Sequence, residues 1–307
     1  MLRPTILIIF AILIFYIAYV GYSDFGKFVA NISHFNFYLL PVILVLEFFV
    51  MFIKAIRQQL FFKKIDIIIP FKDNVLIYFS ALSMILTPAG TGELIKSIFL
   101  KQKHGYSITR SFPIVFVEKF HDLLAPVIIV ATFLVFNRIN EAVILNVALL
   151  IFLLIAYIAI RIKKLFKKII RVLSKISRLK KFSSNIAESY DVFYGLTSKK
   201  IIAKGLLLSL GASSLDVIAI YLVFVAFNLN FSIIYTTIVV FSSIIFGGIT
   251  FLPGGVGITE VSLTGLLARN GVELSLIASI VIMIRLVSVW FATALGFIAT
   301  EMYLTKK

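Results

Sequence analysis

The chain has 307 residues, of which 61% are apolar and only 14% charged, against roughly 25% charged in a soluble domain. Lys and Arg outnumber Asp and Glu by 30 to 14, a net charge of +16, and there is no cysteine. These values exclude a soluble enzyme, a disordered chain, a fibrous protein and any thiolate metal or disulfide site, and they direct the basic excess toward an anionic inner membrane surface rather than nucleic acid.

In chain order, the apolar run Thr5–Tyr22 is too long for a signal peptide and has no clear small-residue cleavage site, so it predicts a retained first span. A second span is expected over Tyr38–Ile56, followed by Arg57, Lys63, Lys64 and Lys72. The next apolar stretch, Asn74–Thr87, stops at Thr87-Pro88-Ala89-Gly90-Thr91-Gly92-Glu93, and a short segment, Leu94–Leu100, leads to Lys101–Arg110. Neither piece is long enough to cross a hydrocarbon core of ~30 Å at ~1.5 Å per residue. A Pro followed by two Gly breaks a helix, so the pair is predicted to be re-entrant. Two full spans follow, Phe112–Phe136 and Ala142–Ile160. Arg161–Lys200 then holds 12 Lys or Arg and two acids, Glu188 and Asp191, with Ile162, Phe166, Ile169, Leu173 and Ile176 three or four apart. That pattern predicts a basic amphipathic segment lying on anionic inner-leaflet lipid, a solvated linker being the alternative from Phe182 to Ser198. A span over Ile201–Phe227, an apolar stretch Ser232–Phe251 broken at Leu252–Glu260, a short segment Val261–Ala268 and a last span Leu274–Tyr303 complete the chain.

The two breaks match. Pro88, Gly90 and Gly92 are followed by Glu93; Pro253, Gly255 and Gly257, with Gly254 between, are followed by Glu260. Gly105 lies 17 residues after Pro88 and Gly271 18 after Pro253; Lys119 and Arg285 each lie 14 further on. Two P-x-G-x-G breaks with matched downstream spacing argue for duplicated halves, residues 38–136 and 201–304, within a single membrane domain of residues 1–307. Placing the basic loops and both termini inside leaves loops near Asp24–Lys27, Arg138–Glu141 and Arg269–Glu273 outside, with three cations and three acids between them. The fold class expected is therefore all-α and polytopic. It has about six full spans and two broken re-entrant pairs, the halves inverted as in transporters with broken midplane helices. Ser232–Phe251, about 20 residues, is also long enough to cross fully.

Charges inside spans are costly and therefore informative. Glu118, Lys119 and Asp122 sit in one span, with Glu118 and Asp122 on one helix face. Lys119 and Arg285 hold equivalent repeat positions and suit a phosphate or carboxylate. The alternative is that Glu118 or Asp122 neutralises Arg285 as a packing pair. The glycine breaks offer backbone N–H groups to an anion; Glu93 and Glu260 are read first as caps on those helix ends and second as proton-coupling acids. Glu47, Arg57 and Asp216 are read as buried charges: Glu47 and Asp216 are mid-span acids read first as hydrogen-bonded core groups and second as coupling carboxylates, and Lys54 and Arg57 lie near the inner end of their span, where snorkelling is the alternative. His34, His104 and His121 have no ligand spacing, so no metal or cofactor is expected, and no nucleotide-binding or hydrolase motif is present.

The chain resembles the membrane region of the lysylphosphatidylglycerol synthase/flippase family. The residues that carry the resemblance are the TPAGTGE break with Lys96, the FVEKFHDLL segment with Glu118, Lys119 and Asp122, the LPGGVGITE break with Glu260, Arg285 in IRLVS, and Arg57. Lys96 and Lys119 stand where Arg is commoner in the family, so charge is retained but a bidentate fork is not. The resemblance implies a two-repeat flippase fold in the cell membrane that moves an anionic lipid headgroup of the aminoacyl-phospholipid or polyprenyl-phosphate type, with no enzymatic step and with a homodimer allowed. Two other functions stay open: a secondary transporter of a small soluble anion, and a non-transporting membrane partner of a lipid or glycan synthase.

Overall fold

Long apolar runs with few charges form helices, because in lipid each backbone group must be satisfied within its own segment. The computed structural model describes residues 2–87, 92–136, 143–166 with 168, 186–250 and 252–305, and among them there is no strand. The helices are α1 (Leu2–Tyr22), α2 (Phe25–Ser33), α3 (Leu40–Lys64), α4 (Phe71–Leu82), α5 (Ile95–His104), α6 (Ile108–Phe136), α7 (Val143–Arg161), α8 (Ile186–Leu196), α9 (Lys199–Ala226), α10 (Ile233–Ile249), α11 (Ile258–Ala268), α12 (Leu274–Arg285) and α13 (Phe291–Thr305). A wide π turn, Leu286–Trp290, joins the last two.

Four described segments are long and apolar enough to cross a membrane: Phe37–Lys64, Ile108–Phe136, Lys199–Ala226 and Leu274–Thr305. A fifth is added if Phe10–Gly21 and Phe25–Ser33, bent by 95°, count as one span. The sequence led us to expect six. The expected first span, Thr5–Tyr22, falls on α1, the first arm of this bent pair, and the one over Ala142–Ile160 falls on α7, of 19 residues. Pro88, Gly90, the Arg138–Glu141 loop, most of the basic segment and the last two lysines lie outside the described residues.

The chain divides into two compact units whose segments alternate along the sequence, so they do not coincide with residues 38–136 and 201–304. The first comprises Met1–Met51, Leu82–Gly92 and Ala212–Ile298. Ile12 and Tyr16 of α1 pack on Leu86, flanked by Phe15, Val256, Ile282 and Trp290. α2 lies against α12, where Lys27 pairs with Glu273 at 2.7 Å and Asn31 reaches Ser275 at 3.4 Å. The Lys27 ammonium holds the exposed Glu273 carboxyl below the usual range, so this pair loosens as pH falls through that lowered value. α10 and α11 double back on each other: the Tyr235 hydroxyl, near the start of α10, donates to the Leu266 carbonyl near the end of α11 at 3.4 Å. At 17 residues, about 26 Å, α10 goes in and its partner returns to the same end.

The second unit comprises Phe52–Ala81, Glu93–Gly211 and Ala299–Lys307. Its broken pair doubles back as well. His104 at the end of α5 lies 3.5 Å from Asp73 at the start of α4, and the Tyr106 hydroxyl accepts from the Ile68 amide at 2.9 Å. α6 contains Pro113 and Pro126. A proline leaves the carbonyl four residues earlier unbonded, and that of Thr109 is met by the Ser189 hydroxyl of α8 at 3.5 Å. α7 and α8 pack on α6. Phe166, expected on the apolar face of the basic segment, buries against Tyr190 and Phe193 of α8. The Arg161 guanidinium lies 4.0 Å over the Tyr194 ring and Lys163 5.3 Å over Tyr190.

Candidate functional site

Each unit holds a cluster of charged side chains built around the helix that follows a glycine break. In the second unit, Glu93 and Lys96 are three residues apart at the start of α5, hence on one face. Glu118, Lys119 and Asp122 come from the middle of α6, and Lys54 and Arg57, also three apart, from α3. The Lys96 ammonium donates to Glu118 Oε2 at 2.7 Å and lies 3.8 Å from Glu93 Oε2. It also sits 4.7 Å over the Tyr78 ring, a cation–π contact. Lys119 pairs with Glu93 Oε1. Arg57 Nη2 lies 3.0 Å from Asp122 Oδ1, with Lys54 at 3.4 Å on the same oxygen, and Arg57 Nη1 donates to Ser209 Oγ of α9 at 2.7 Å.

Burial within this cluster is uneven. Glu93, Lys96, Glu118 and Arg57 are buried, whereas the side chains of Lys119, Lys54 and Asp122 keep 37%, 26% and 24% of their surface. Two buried polar atoms, Arg57 Nε and Glu118 Oε1, have neither a hydrogen-bond nor an ion-pair partner among the described residues. His121, on α6 beside them, turns Nδ1 to the Val117 carbonyl at 2.7 Å and Nε2 to the Ile202 carbonyl at 3.3 Å. It packs α6 against α9, and Gly205 is needed there because a Cβ would sit 2.7 Å from its Nε2.

The first unit's cluster is smaller and closed. Arg285 Nε donates to Glu260 Oε1 at 2.7 Å, and the Tyr16 hydroxyl donates to the same oxygen at 2.8 Å. Glu260 Oε2 accepts the Gly257 amide at 2.7 Å, so the carboxylate caps its own helix. Arg285 Nη1 donates to the Gly254 carbonyl at 3.2 Å. That arrangement requires the break's unusual backbone: Gly254 and Gly257 have φ of +59° and +92°, which side-chain-bearing residues rarely adopt. Arg285 Nη2 has no partner among the described residues. The Arg285–Glu260 pair borders a cavity of about 20 Å³ lined also by Val240, Thr259, Leu263, Val281 and Ser288, room for one water.

The structure therefore brings Glu93, Lys96, Glu118, Lys119, Asp122 and Arg57 together, and separately Glu260, Arg285, Gly254 and Gly257. Lys119 and Arg285, the cations at matched spacing from the two glycine breaks, each pair with the carboxylate that follows that break, Glu93 and Glu260. Pro253 and Gly255 form the turn before α11. Gly92 hydrogen-bonds its amide to Thr87 Oγ1 at 2.6 Å, closing the described edge of the first break. Glu47 is buried on α3 and Asp216 half-buried on α9. Arg57, read both as a buried charge and as a cation that could snorkel, is 1% exposed. Tyr16, Tyr78 and Ser209 were not singled out by the sequence. Tyr16 and Tyr19 stand three apart in an otherwise apolar run, a polar pair on one helix face, and that was the available signal. The described residues contain no group of His, Cys, Asp and Glu able to hold a metal.

Comparison with known proteins agrees with this architecture. The family model described as the lysylphosphatidylglycerol synthase TM region matches residues 6–296. A UPF0104 membrane protein of Pyrococcus horikoshii is 27% identical over 69% of this chain and 70% of its own length. One from Methanothermobacter thermautotrophicus is 23% identical over 98% of this chain and 94% of its own, and one from Methanocaldococcus jannaschii is 25% identical over 69% and 89%. No solved structure matches the chain. The chain belongs to the lysylphosphatidylglycerol synthase TM-region family and is a polytopic membrane protein.

Proposed function

We propose that this member of the lysylphosphatidylglycerol synthase TM-region family moves an anionic lipid headgroup between leaflets of the cell membrane, with both termini in the cytoplasm. The observation that carries the reading is the second unit's cluster, seven charged side chains inside an apolar helical bundle with Lys119 still accessible. A headgroup charge taken into the bilayer core without partners costs several kcal/mol. A preformed set of ammonium and guanidinium donors lowers that cost. Lys119 is the first contact, because it is the most exposed cation of the set and, among the described residues, its ion pair is with Glu93. An incoming phosphate competes with that carboxylate while Lys96 and Arg57 hold the site's shape. The acyl or polyprenyl tail stays in lipid, the basic segment after α7 rests on the anionic inner leaflet, and no covalent step is assigned.

The test is reconstitution into vesicles carrying a headgroup-labelled anionic phospholipid, read by a membrane-impermeant quencher. Quenching beyond the outer-leaflet fraction is expected with the wild-type protein, and a rate lower by about tenfold with Lys119→Gln, the loss of roughly one charge-assisted contact. Rates equal to protein-free vesicles would overturn the reading. Uptake of a water-soluble anion in their place would select the soluble-anion transporter.

A further inference from the structure

We infer that the second unit's cluster is a site for a headgroup carrying one net negative charge, a phosphodiester, and that it discriminates against a lysylated headgroup; the inference rests on the lipid-translocation reading. The argument is a charge count. Lys54, Arg57, Lys96 and Lys119 give four positive charges; Glu93, Glu118 and Asp122 give three negative. The balance is 4 − 3 = +1. A buried or half-buried cluster with one unmatched charge is completed by one counter-charge, since each uncompensated charge in a low-dielectric setting is costly. A phosphodiester supplies one. A phosphomonoester near neutral pH brings nearly two and overshoots. A lysyl ester of a phosphodiester adds two ammonium groups to one phosphate, for +1, and leaves the site at +2.

Two further observations place the missing acceptor. Arg57 Nε is a buried donor with no partner among the described residues, and Arg57 is 1% exposed. Lys119 is the accessible cation, and with Lys54 it marks the open side of the cluster. Among the described residues, the first unit's cluster also has a partnerless arginine nitrogen, Arg285 Nη2, but it has neither an accessible cation nor an unmatched charge. There Arg285 and Glu260 balance one to one, Glu260 is fully buried, and the carboxylate already takes three donors. The two clusters thus differ in role, the second unit's serving the ligand and the first unit's serving as a lock.

The experiment measures binding to the purified protein in lipid nanoparticles, with one tail and several headgroups: phosphatidylglycerol, lysylphosphatidylglycerol and a polyprenyl phosphomonoester, plus soluble glycerophosphoglycerol. Phosphatidylglycerol is expected to bind about tenfold or more tighter than lysylphosphatidylglycerol, with that margin lost in Lys119→Gln and kept in Lys119→Arg. Glu93→Gln, which raises the balance to +2, is expected to shift preference toward the phosphomonoester. Equal or tighter binding of lysylphosphatidylglycerol by the wild type overturns the inference, and that comparison needs no variant to fold. Translocation of lysylphosphatidylglycerol in vesicles would overturn the charge assignment while leaving the translocation reading intact. Headgroup discrimination without translocation would do the reverse. Equal affinity for soluble glycerophosphoglycerol and the intact lipid would keep the charge assignment and remove the lipid as its source.

Discussion

Glu260 is the residue whose environment is most completely specified. Its carboxylate accepts from Arg285 Nε, the Tyr16 hydroxyl and the Gly257 amide, so removing one donor leaves a buried anion short of a partner. Arg285→Met is therefore expected to destabilise the protein by about 3–5 kcal/mol, while Arg285→Met combined with Glu260→Gln costs less than the single change, because no lone charge remains. Tyr16→Phe, which deletes one neutral donor, should cost about 1–3 kcal/mol. Denaturant unfolding in a fixed detergent orders the three. A double variant weaker than Arg285→Met would refute the lock. Neither pairing partner was legible beforehand, although both were available as spacing: Glu93 and Lys119 are 26 residues apart, Glu260 and Arg285 are 25. The repeat aligned the cations with each other, whereas the chemistry pairs each cation with the acid of its own half. Tyr78 and Ser209 were invisible for a different reason. An aromatic or hydroxyl side chain in an apolar helix carries no sign of which cation it will meet.

Among the elements, the broken pairs were the best predicted and their packing the least. α10 stops at Ile249, just ahead of the turn at Pro253 with its left-handed Gly254, Gly255 and Gly257, whereas α4 stops at Leu82, six residues before Pro88. What the sequence does not encode locally is the distance of approach. Gly296 on α13 comes so close to residues 82–83 that a Cβ would lie 2.2 Å from the Ser83 amide nitrogen. That neighbour is backbone and cannot rotate away. Gly296→Ala is expected to abolish stable folding or to cost at least about 3 kcal/mol, at the upper end of overpacking. Gly247→Ala meets Thr259 Oγ1 at 1.9 Å, a side-chain atom. Its defect should be partly relieved by Thr259→Ala, whereas no side-chain change rescues Gly296→Ala. Fluorescence-detected size-exclusion profiles after graded heating separate the two cases. An unaltered profile for Gly296→Ala would show that α13 packs differently. The stretch expected over Ala142–Ile160 folds as α7, Val143–Arg161, 19 residues or about 28 Å, and what hydropathy could not show is that it packs on α6 and α8.

For the whole molecule, the decisive property is the orientation of the two broken pairs. Within the first unit the Lys27–Glu273 pair holds the Asp24–Lys27 and Arg269–Glu273 loops at one end. Within the second, Asp66 with Arg110 at 3.4 Å and Ile68 with Tyr106 join the loop after α3 to the loop after α5. These are the groupings that the charge asymmetry assigns to opposite sides of the membrane: the first balanced and outside, the second basic and inside. On that assignment the α4–α5 pair is predicted to dip in from the cytoplasm and the α10–α11 pair from outside, an inverted duplication at the level of helix pairs. The chain offers an unusually direct test because it contains no cysteine, so every introduced thiol is the only one. Asn270→Cys, Lys63→Cys and Lys101→Cys each place a thiol at an exposed position. In intact cells a membrane-impermeant maleimide is expected to label Asn270→Cys alone, with the other two reacting only after permeabilisation. Labelling of Asn270→Cys and Lys101→Cys from the same side would place both broken pairs on one face. The duplication would then be parallel.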